Sequence, residues 1–146
     1  MGRSENVAEL PGWARELLEQ SRVGRLGMID DDGNPRVLPV TYALSGLRLV
    51  SVVDDKPKRR PGEELARVRW LRARPRAALT VDRYDDEWSS LAWVQAVGTM
   101  RVLDVADAPE ALVALAERYP QYRLRQPRGP VLSLTPARLV WWRARE

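Results

Sequence analysis

Val23-Gly-Arg-Leu-Gly-Met-Ile-Asp30, then Asp31-Asp-Gly-Asn-Pro35, then Arg36-Val-Leu-Pro-Val-Thr-Tyr-Ala-Leu44 is the stretch that decides the fold. Two runs of extended character flank a cluster of Asp, Gly, Asn and Pro, the residues that turns require, so the stretch predicts a β-hairpin. Ser45-Gly46 makes a second tight turn into Leu47 to Val53, whose β-branched content favours a third strand. Three strands joined by such short turns run antiparallel, because a parallel pair needs a crossover of a dozen residues or more.

The rest of the chain extends this meander. Upstream, Pro11 to Ser21 reads as a helix: proline is tolerated in the first turn, and Trp13, Leu17 and Leu18 recur at helical spacing. Downstream, Glu63 to Arg74 is helical, with Leu65, Val68 and Leu71 on its apolar side, and Pro75 ends it. Ala77 to Asp82 returns as a strand, Arg83 to Ser90 is a polar loop, and Leu91 to Leu103 carries the longest strand signal. In that strand Ala92, Val94, Ala96, Gly98, Met100 and Val102 alternate with Trp93, Gln95, Val97, Thr99 and Arg101. Asp107-Ala-Pro-Glu110 resembles a capping box for a helix carrying Leu112, Leu115 and Ala116 and ending before Pro120. Val131 to Trp142 supplies a last strand, interrupted by Pro136. Short connections without a regular alternation of strand and helix predict an antiparallel sheet or barrel rather than a doubly wound parallel sheet.

Composition removes whole classes of chemistry. The 146 residues contain no cysteine and no histidine, which excludes disulfides, thiol nucleophiles, zinc or haem ligation by those residues, and histidine-based triads. An enzyme built this way takes its reactive group from a cofactor, and the protein supplies position and electrostatics. A hydrophobic content of 45% against 30% charged residues fits one globular domain spanning residues 1–146. No apolar run is long enough to span a bilayer. The amino terminus lacks the apolar core of a signal peptide, so a cytoplasmic protein that does not engage a membrane is expected.

Charge marks one place. Of 24 cationic side chains only two are lysine, Lys56 and Lys58, and both fall in Val52-Val-Asp-Asp-Lys-Pro-Lys-Arg-Arg60. Lysine offers a compact, mobile point charge suited to a phosphate, and prolines at 57 and 61 stiffen the backbone around it. Asp54 and Asp55 beside so many cations temper loop charge rather than form an acid/base pair. The four carboxylates between Asp82 and Glu87 lack metal-loop spacing and read as a solvated loop; no metal site is expected. Arg67, Arg69, Arg72, Arg74 and Arg76 raise nucleic-acid binding, but no recognition motif accompanies them, and no nucleic-acid partner is expected.

In order and spacing, eight segments together resemble the split β-barrel flavoproteins of the pyridoxamine 5'-phosphate oxidase type, and within them the group that uses the deazaflavin coenzyme F420. They are Ser21-Arg-Val-Gly-Arg-Leu26, Asp32-Gly-Asn-Pro-Arg-Val-Leu-Pro-Val-Thr41, Asp55-Lys-Pro-Lys-Arg59, Leu71-Arg-Ala-Arg-Pro-Arg76, Val81-Asp-Arg-Tyr-Asp-Asp-Glu-Trp88, Trp93-Val-Gln-Ala-Val-Gly98, Arg118-Tyr-Pro-Gln-Tyr122 and Gly129-Pro-Val131. The resemblance implies a mainly β (α+β) fold: a six-stranded antiparallel split β-barrel with peripheral helices, of the FMN-binding kind. It also implies a homodimer with two cofactor grooves between the subunits. By the same resemblance the cofactor phosphate meets Lys56, Lys58 and Arg59. The ring lies near Pro39, Val40 and Thr41, Ser51 faces it from the third strand, and Trp93, Gln95 and Arg101 belong to the partner-facing wall. Pro39 also reads as a residue that interrupts pairing at a sheet edge.

The implied activity is hydride transfer between coenzyme F420 and an unidentified small organic acceptor. An FMN-dependent oxidoreductase of the same fold and a non-catalytic carrier that sequesters its cofactor remain open beside it. No catalytic residue stands out; Tyr42, Tyr84 and Lys56 are the side chains available to deliver a proton, and solvent is the alternative.

Overall fold

The computed structural model describes residues 1–53 and 65–145. Lys56, Lys58, Arg59 and the carboxylates Asp54 and Asp55 therefore lie outside the described residues. The elements are β1 (Gly2–Ser4), α1 (Gly12–Gln20), β2 (Gly24–Ile29), β3 (Pro35–Val40), β4 (Ala43–Ser45), β5 (Arg48–Val52), α2 (Ala66–Ala73), β6 (Arg76–Arg83), β7 (Ala92–Leu103), α3 (Pro109–Arg118), α4 (Pro120–Leu124) and β8 (Val131–Arg143). All strand pairings are antiparallel, in the order β3-β2-β6-β7-β8-β5-β4, with β1 added alongside β8.

That order makes the sheet a barrel. If it were flat, the outermost strands β3 and β4 would stand six spacings of about 4.8 Å apart, about 29 Å. Yet β3 ends at Val40 and β4 starts at Ala43, and three Cα steps of about 3.8 Å span at most about 11 Å. The sheet therefore curls until its two ends adjoin. The split is the gap between β3 and β4, which follow one another in sequence and are not paired.

The expected class holds, with eight strands instead of six. The second expected strand, Arg36 to Leu44, breaks into β3 and β4 because Thr41 and Tyr42 turn from one end of the sheet to the other. The additional β1 pairs Gly2 with Trp141 and Ser4 with Leu139, a three-residue contact with no periodicity of its own to announce it. The hairpin turn forms as its residues require: the Asp30 amide donates to Asn34 O (2.9 Å), the Gly33 amide donates to Asp30 O (3.1 Å), and Gly33 takes φ +83°. Asp30 is buried, and the Asn34 amide that donates to its carboxylate holds its pKa below the usual range.

Two further expectations are corrected. Pro136 does not interrupt β8, which runs past it with a bulge: Gly98 pairs with Pro136 and Val97 with Arg138, leaving Ala137 as the extra residue. The backbones approach so closely there that a Cβ on Gly98 would stand 2.0 Å from Thr135 O. The capping box does not form either, because Asp107 ends a short 3-10 turn, Ala108 occupies the N-cap of α3 without a side-chain bond, and Pro109 opens the helix.

Two apolar clusters fill the fold. The larger lies inside the barrel under α1 and α2 and contains Leu18, Leu26, Leu49, Leu71, Leu79, Met100, Leu134 and Leu139. The smaller joins Ala43, Val50, Val52 and Val131 of the sheet to Ala111, Leu115 and Tyr119, so α3 covers the outside of β4 and β5. Helix α2 grips the hairpin turn: Arg69 meets the Asp31 carboxylate through Nε (3.1 Å) and Nη2 (2.8 Å), and Arg74 Nη1 donates to Asp30 O (2.7 Å). Two of the five arginines considered for nucleic acid therefore hold the hairpin. No helix among the described residues is long and apolar enough to cross a membrane.

Candidate functional site

Strand β3 is the least protected part of the sheet. Val37 is 66% exposed, and Pro35, Arg36 and Pro39 are also exposed. Hydrogen-bonded and non-hydrogen-bonded pairs alternate along an antiparallel ladder. Because the Asp30 amide bonds Asn34 O, the pairs that follow at Arg36, Leu38 and Val40 point their backbone groups at β2. Pro35, Val37 and Pro39 then turn theirs to the open edge, where two prolines remove the donors that another strand would need. Carbonyl oxygens and the Val37 amide remain available there.

The residues chosen from sequence divide into two groups. On the outer face of the sheet, Pro39 pairs with Arg25, Arg25 with Thr80, Thr80 with Gln95 and Gln95 with Val140, forming one row. Three strand spacings of about 4.8 Å put Pro39 about 14 Å from Gln95. Trp93 lies on the same face of β7, paired with Asp82 and Trp142. A cavity of 490 Å³ opens here, lined by Trp93, Trp142, Tyr84, Leu91, Gln95 and Thr80 among others. Gln95 Nε2 donates to Thr80 Oγ1 (3.0 Å), and Arg25 Nη1 meets Asp82 Oδ1 (3.1 Å). Arg101 is exposed farther along β7, paired with Ser133. Val40 lies on the opposite face, buried in the main core.

The second group gathers at the barrel split. Ser51, almost fully buried, donates to Thr41 O (2.6 Å), and Thr41 Oγ1 lies 2.8 Å from Tyr122 Oη. Tyr42 has no ladder partner, and its amide donates to Tyr119 Oη (3.1 Å). The Tyr119 hydroxyl in turn shares its proton between Arg22 O (2.8 Å) and Tyr42 O (3.0 Å). Arg118 donates to Tyr42 O through Nη1 (2.8 Å) and to Ser21 O through Nη2, and its guanidinium lies 5.0 Å from the centre of the Tyr42 ring. Such dense bonding is what a buried backbone outside the ladder demands. Val53, the last described residue before the lysine stretch, donates to Pro130 O (3.0 Å).

Arg118, Tyr119 and Tyr122 were absent from the sequence-based site, although they belong to a segment already quoted for the resemblance. Arg118 ends α3, Tyr119 joins it to α4 and Tyr122 lies on α4, and only the fold shows that they meet Thr41 and Tyr42. Tyr42 itself leaves the set of proton donors. Its hydroxyl is buried and donates to Leu18 O (2.6 Å), and burial pushes its pKa up to about 12. Tyr84 is 73% exposed at the rim of the Trp93 cavity. In the acidic loop, Asp85 accepts from the Glu87 amide and from Ser90 Oγ, and Glu87 accepts from Ser89, so these carboxylates serve local turns.

Comparison with known proteins agrees with this architecture. Among curated proteins, no sequence matches the chain significantly. Among solved structures, an FAD-binding protein from Mesorhizobium loti is 19% identical, covering 97% of both chains with a TM-score of 0.66. A heme-binding protein from Mycobacterium smegmatis is 21% identical, covering 91% of this chain and 55% of the other, with a TM-score of 0.70. An F420 reductase is 20% identical, covering 90% and 98%, with a TM-score of 0.62. At such identities these likenesses establish the fold. The family profile described as pyridoxamine 5'-phosphate oxidase matches residues 10–143, nearly the whole chain and all of the strands that form the barrel, and this chain belongs to that family.

Proposed function

We propose that this chain is an oxidoreductase that binds coenzyme F420 and moves a hydride between it and a small organic acceptor, working as a homodimer with a cofactor groove between subunits. One observation carries the reading. The open β3 edge adjoins the Thr41–Ser51 contact, and the chain's only lysines follow Ser51 by five and seven residues in sequence. A flat, polar-edged ring with a phosphate side chain needs an apolar platform, a few hydrogen-bonding groups and cations. Val37 and Pro39 supply the platform, and the β3 edge and the Thr41 hydroxyl supply the polar contacts. Lys56, Lys58 and Arg59 are the residues that take the phosphate.

The coenzyme, when bound, supplies the hydride chemistry. The protein binds it, fixes which ring face the acceptor meets, and excludes water from that face. Where the acceptor needs a proton, Tyr84, Lys56 or solvent delivers it. The similar F420 reductase supports the choice of coenzyme. The similar FAD-binding protein supports a second reading, in which FMN fills the same groove, and the similar heme-binding protein a third, in which the chain only carries a cofactor.

The homodimer rests on the outer face of β7. Trp93, Gln95, Val97 and Thr99 are only half-buried within one chain, and an apolar strip of this length is stabilised by covering it. Sedimentation is expected to show a dimer at micromolar concentration, and a stable monomer would remove the intersubunit groove. Turnover is tested by mixing reduced F420 with candidate acceptors under anaerobic conditions. Oxidation of the coenzyme beyond the protein-free rate supports an enzyme, and tight binding without turnover favours the carrier.

A further inference from the structure

We propose that Tyr122 is a positioning residue, one that turns the Thr41 hydroxyl proton toward the cofactor groove so that it donates to a carbonyl oxygen on the polar edge of the bound ring. This rests on the reading that a deazaflavin or flavin ring lies along β3. Tyr122 Oη and Thr41 Oγ1 are 2.8 Å apart, and either atom is competent to donate. A phenol is the stronger acid and an aliphatic hydroxyl the better acceptor, so the favoured arrangement has Tyr122 donating and Thr41 accepting. Thr41 is thereby left with one proton that finds no acceptor among the described residues. Its backbone carbonyl is already taken by Ser51 Oγ at 2.6 Å. Thr41 is only partly buried, and it follows Pro39 and Val40 at the open end of β3, so its free proton has the groove within reach.

The bond is not needed to hold its surroundings together. Helix α4 is secured to α3 by the edge-on contact of Tyr119 with Tyr122 (ring centres 5.7 Å apart) and by Arg123, which donates to Ala116 O and Glu117 O. The Thr41–Tyr42 segment is separately fixed by Arg118, Tyr119 and Ser51. Losing the Tyr122 hydroxyl therefore alters the orientation of one proton more than it alters the fold.

The test titrates wild type, Tyr122→Phe, Thr41→Val, Thr41→Ser and the Tyr122→Phe/Thr41→Val double variant with F420 and with FMN. The bound absorption spectrum and the melting temperature are recorded for each. Expected are a roughly tenfold loss of affinity and a shifted bound spectrum for Tyr122→Phe, recovery of both in Thr41→Ser relative to Thr41→Val, and a double variant no weaker than Thr41→Val. The melting temperature of Tyr122→Phe is expected to stay near that of wild type. Wild-type affinity and spectrum in Tyr122→Phe, or additive losses in the double variant, would overturn the role of Tyr122 while leaving the cofactor reading in place. If wild type binds neither cofactor, both fall together.

Discussion

Strand β3 forms one side of the split and β5 stands behind β4 on the other, and the two differ in what covers them. In β5, Leu49 faces the main core and Val50 and Val52 face α3, and four of its five residues are buried. In β3 only Val40 is buried among six residues. Among the described residues, one side of the split is covered by the chain's own helix, and the other is bare and fitted with prolines that discourage another strand. A strand kept in the fold yet left uncovered on its outer face is where a fold of this kind has room for a ligand.

The contrast has energetic consequences. Leu49→Ala opens a cavity in the core and is expected to cost about 2–5 kcal/mol in urea denaturation, whereas Val37→Ala removes a methyl pair from an exposed position and is expected to stay within about 0.5 kcal/mol. Equal losses would mean that β3 is packed as tightly as β5 and would remove the open groove.

A second difference is visible in pH. The Tyr42 hydroxyl, inside the stitched half of the split, has its pKa raised to about 12, chiefly by burial. In the unfolded chain it titrates near 10, so above that pH the unfolded state sheds a proton that the folded state retains. Stability is therefore full below about pH 10 and falls as pH climbs toward 12, by about 2 kcal/mol across the window. Tyr42→Phe should flatten that slope when stability is followed by denaturant titration at each pH. A variant as steep as wild type would place the effect elsewhere.

The lysine stretch should be sensitive to ligand rather than to pH. Lys56→Ala and Lys58→Ala are each expected to weaken cofactor binding by about 1–3 kcal/mol in isothermal titration, the range for losing a charge-assisted hydrogen bond. Unchanged affinity in both would return these lysines to an ordinary charged turn.

The two halves also differ in how far they were legible beforehand. The β2–β3 hairpin was readable because its turn chemistry is local: Asp30, Gly33 and Asn34 satisfy one another within five residues. The break at Thr41–Tyr42 was not, since Val40, Tyr42 and Leu44 continue an apolar alternation and nothing nearby signals a stop. The groups that stabilise the break, Tyr119 and Tyr122, lie 77 and 81 residues away in sequence. Trp93 and Gln95 were correctly read as lying on an outward face, because alternation with period two needs only the strand itself. That Gln95 shares a row with Pro39 depended on the order β3-β2-β6-β7, which alternation does not encode. The failed capping box at Asp107 has the same origin, since a short 3-10 turn took up the residue that the motif would have used.

The proposed fit of the groove beside β3 to a polyanionic deazaflavin is open to competitive titration of F420 against FMN at low and high salt. The acidic tail of F420 adds negative charge beyond the phosphate, which a segment carrying Lys56, Lys58, Arg59 and Arg60 attracts and which salt screens. F420 is expected to bind at least roughly tenfold more tightly at low salt, about 1.4 kcal/mol, with the gap narrowing as salt rises. Equal affinities at low salt, or a yellow protein that keeps FMN through purification, would contradict it.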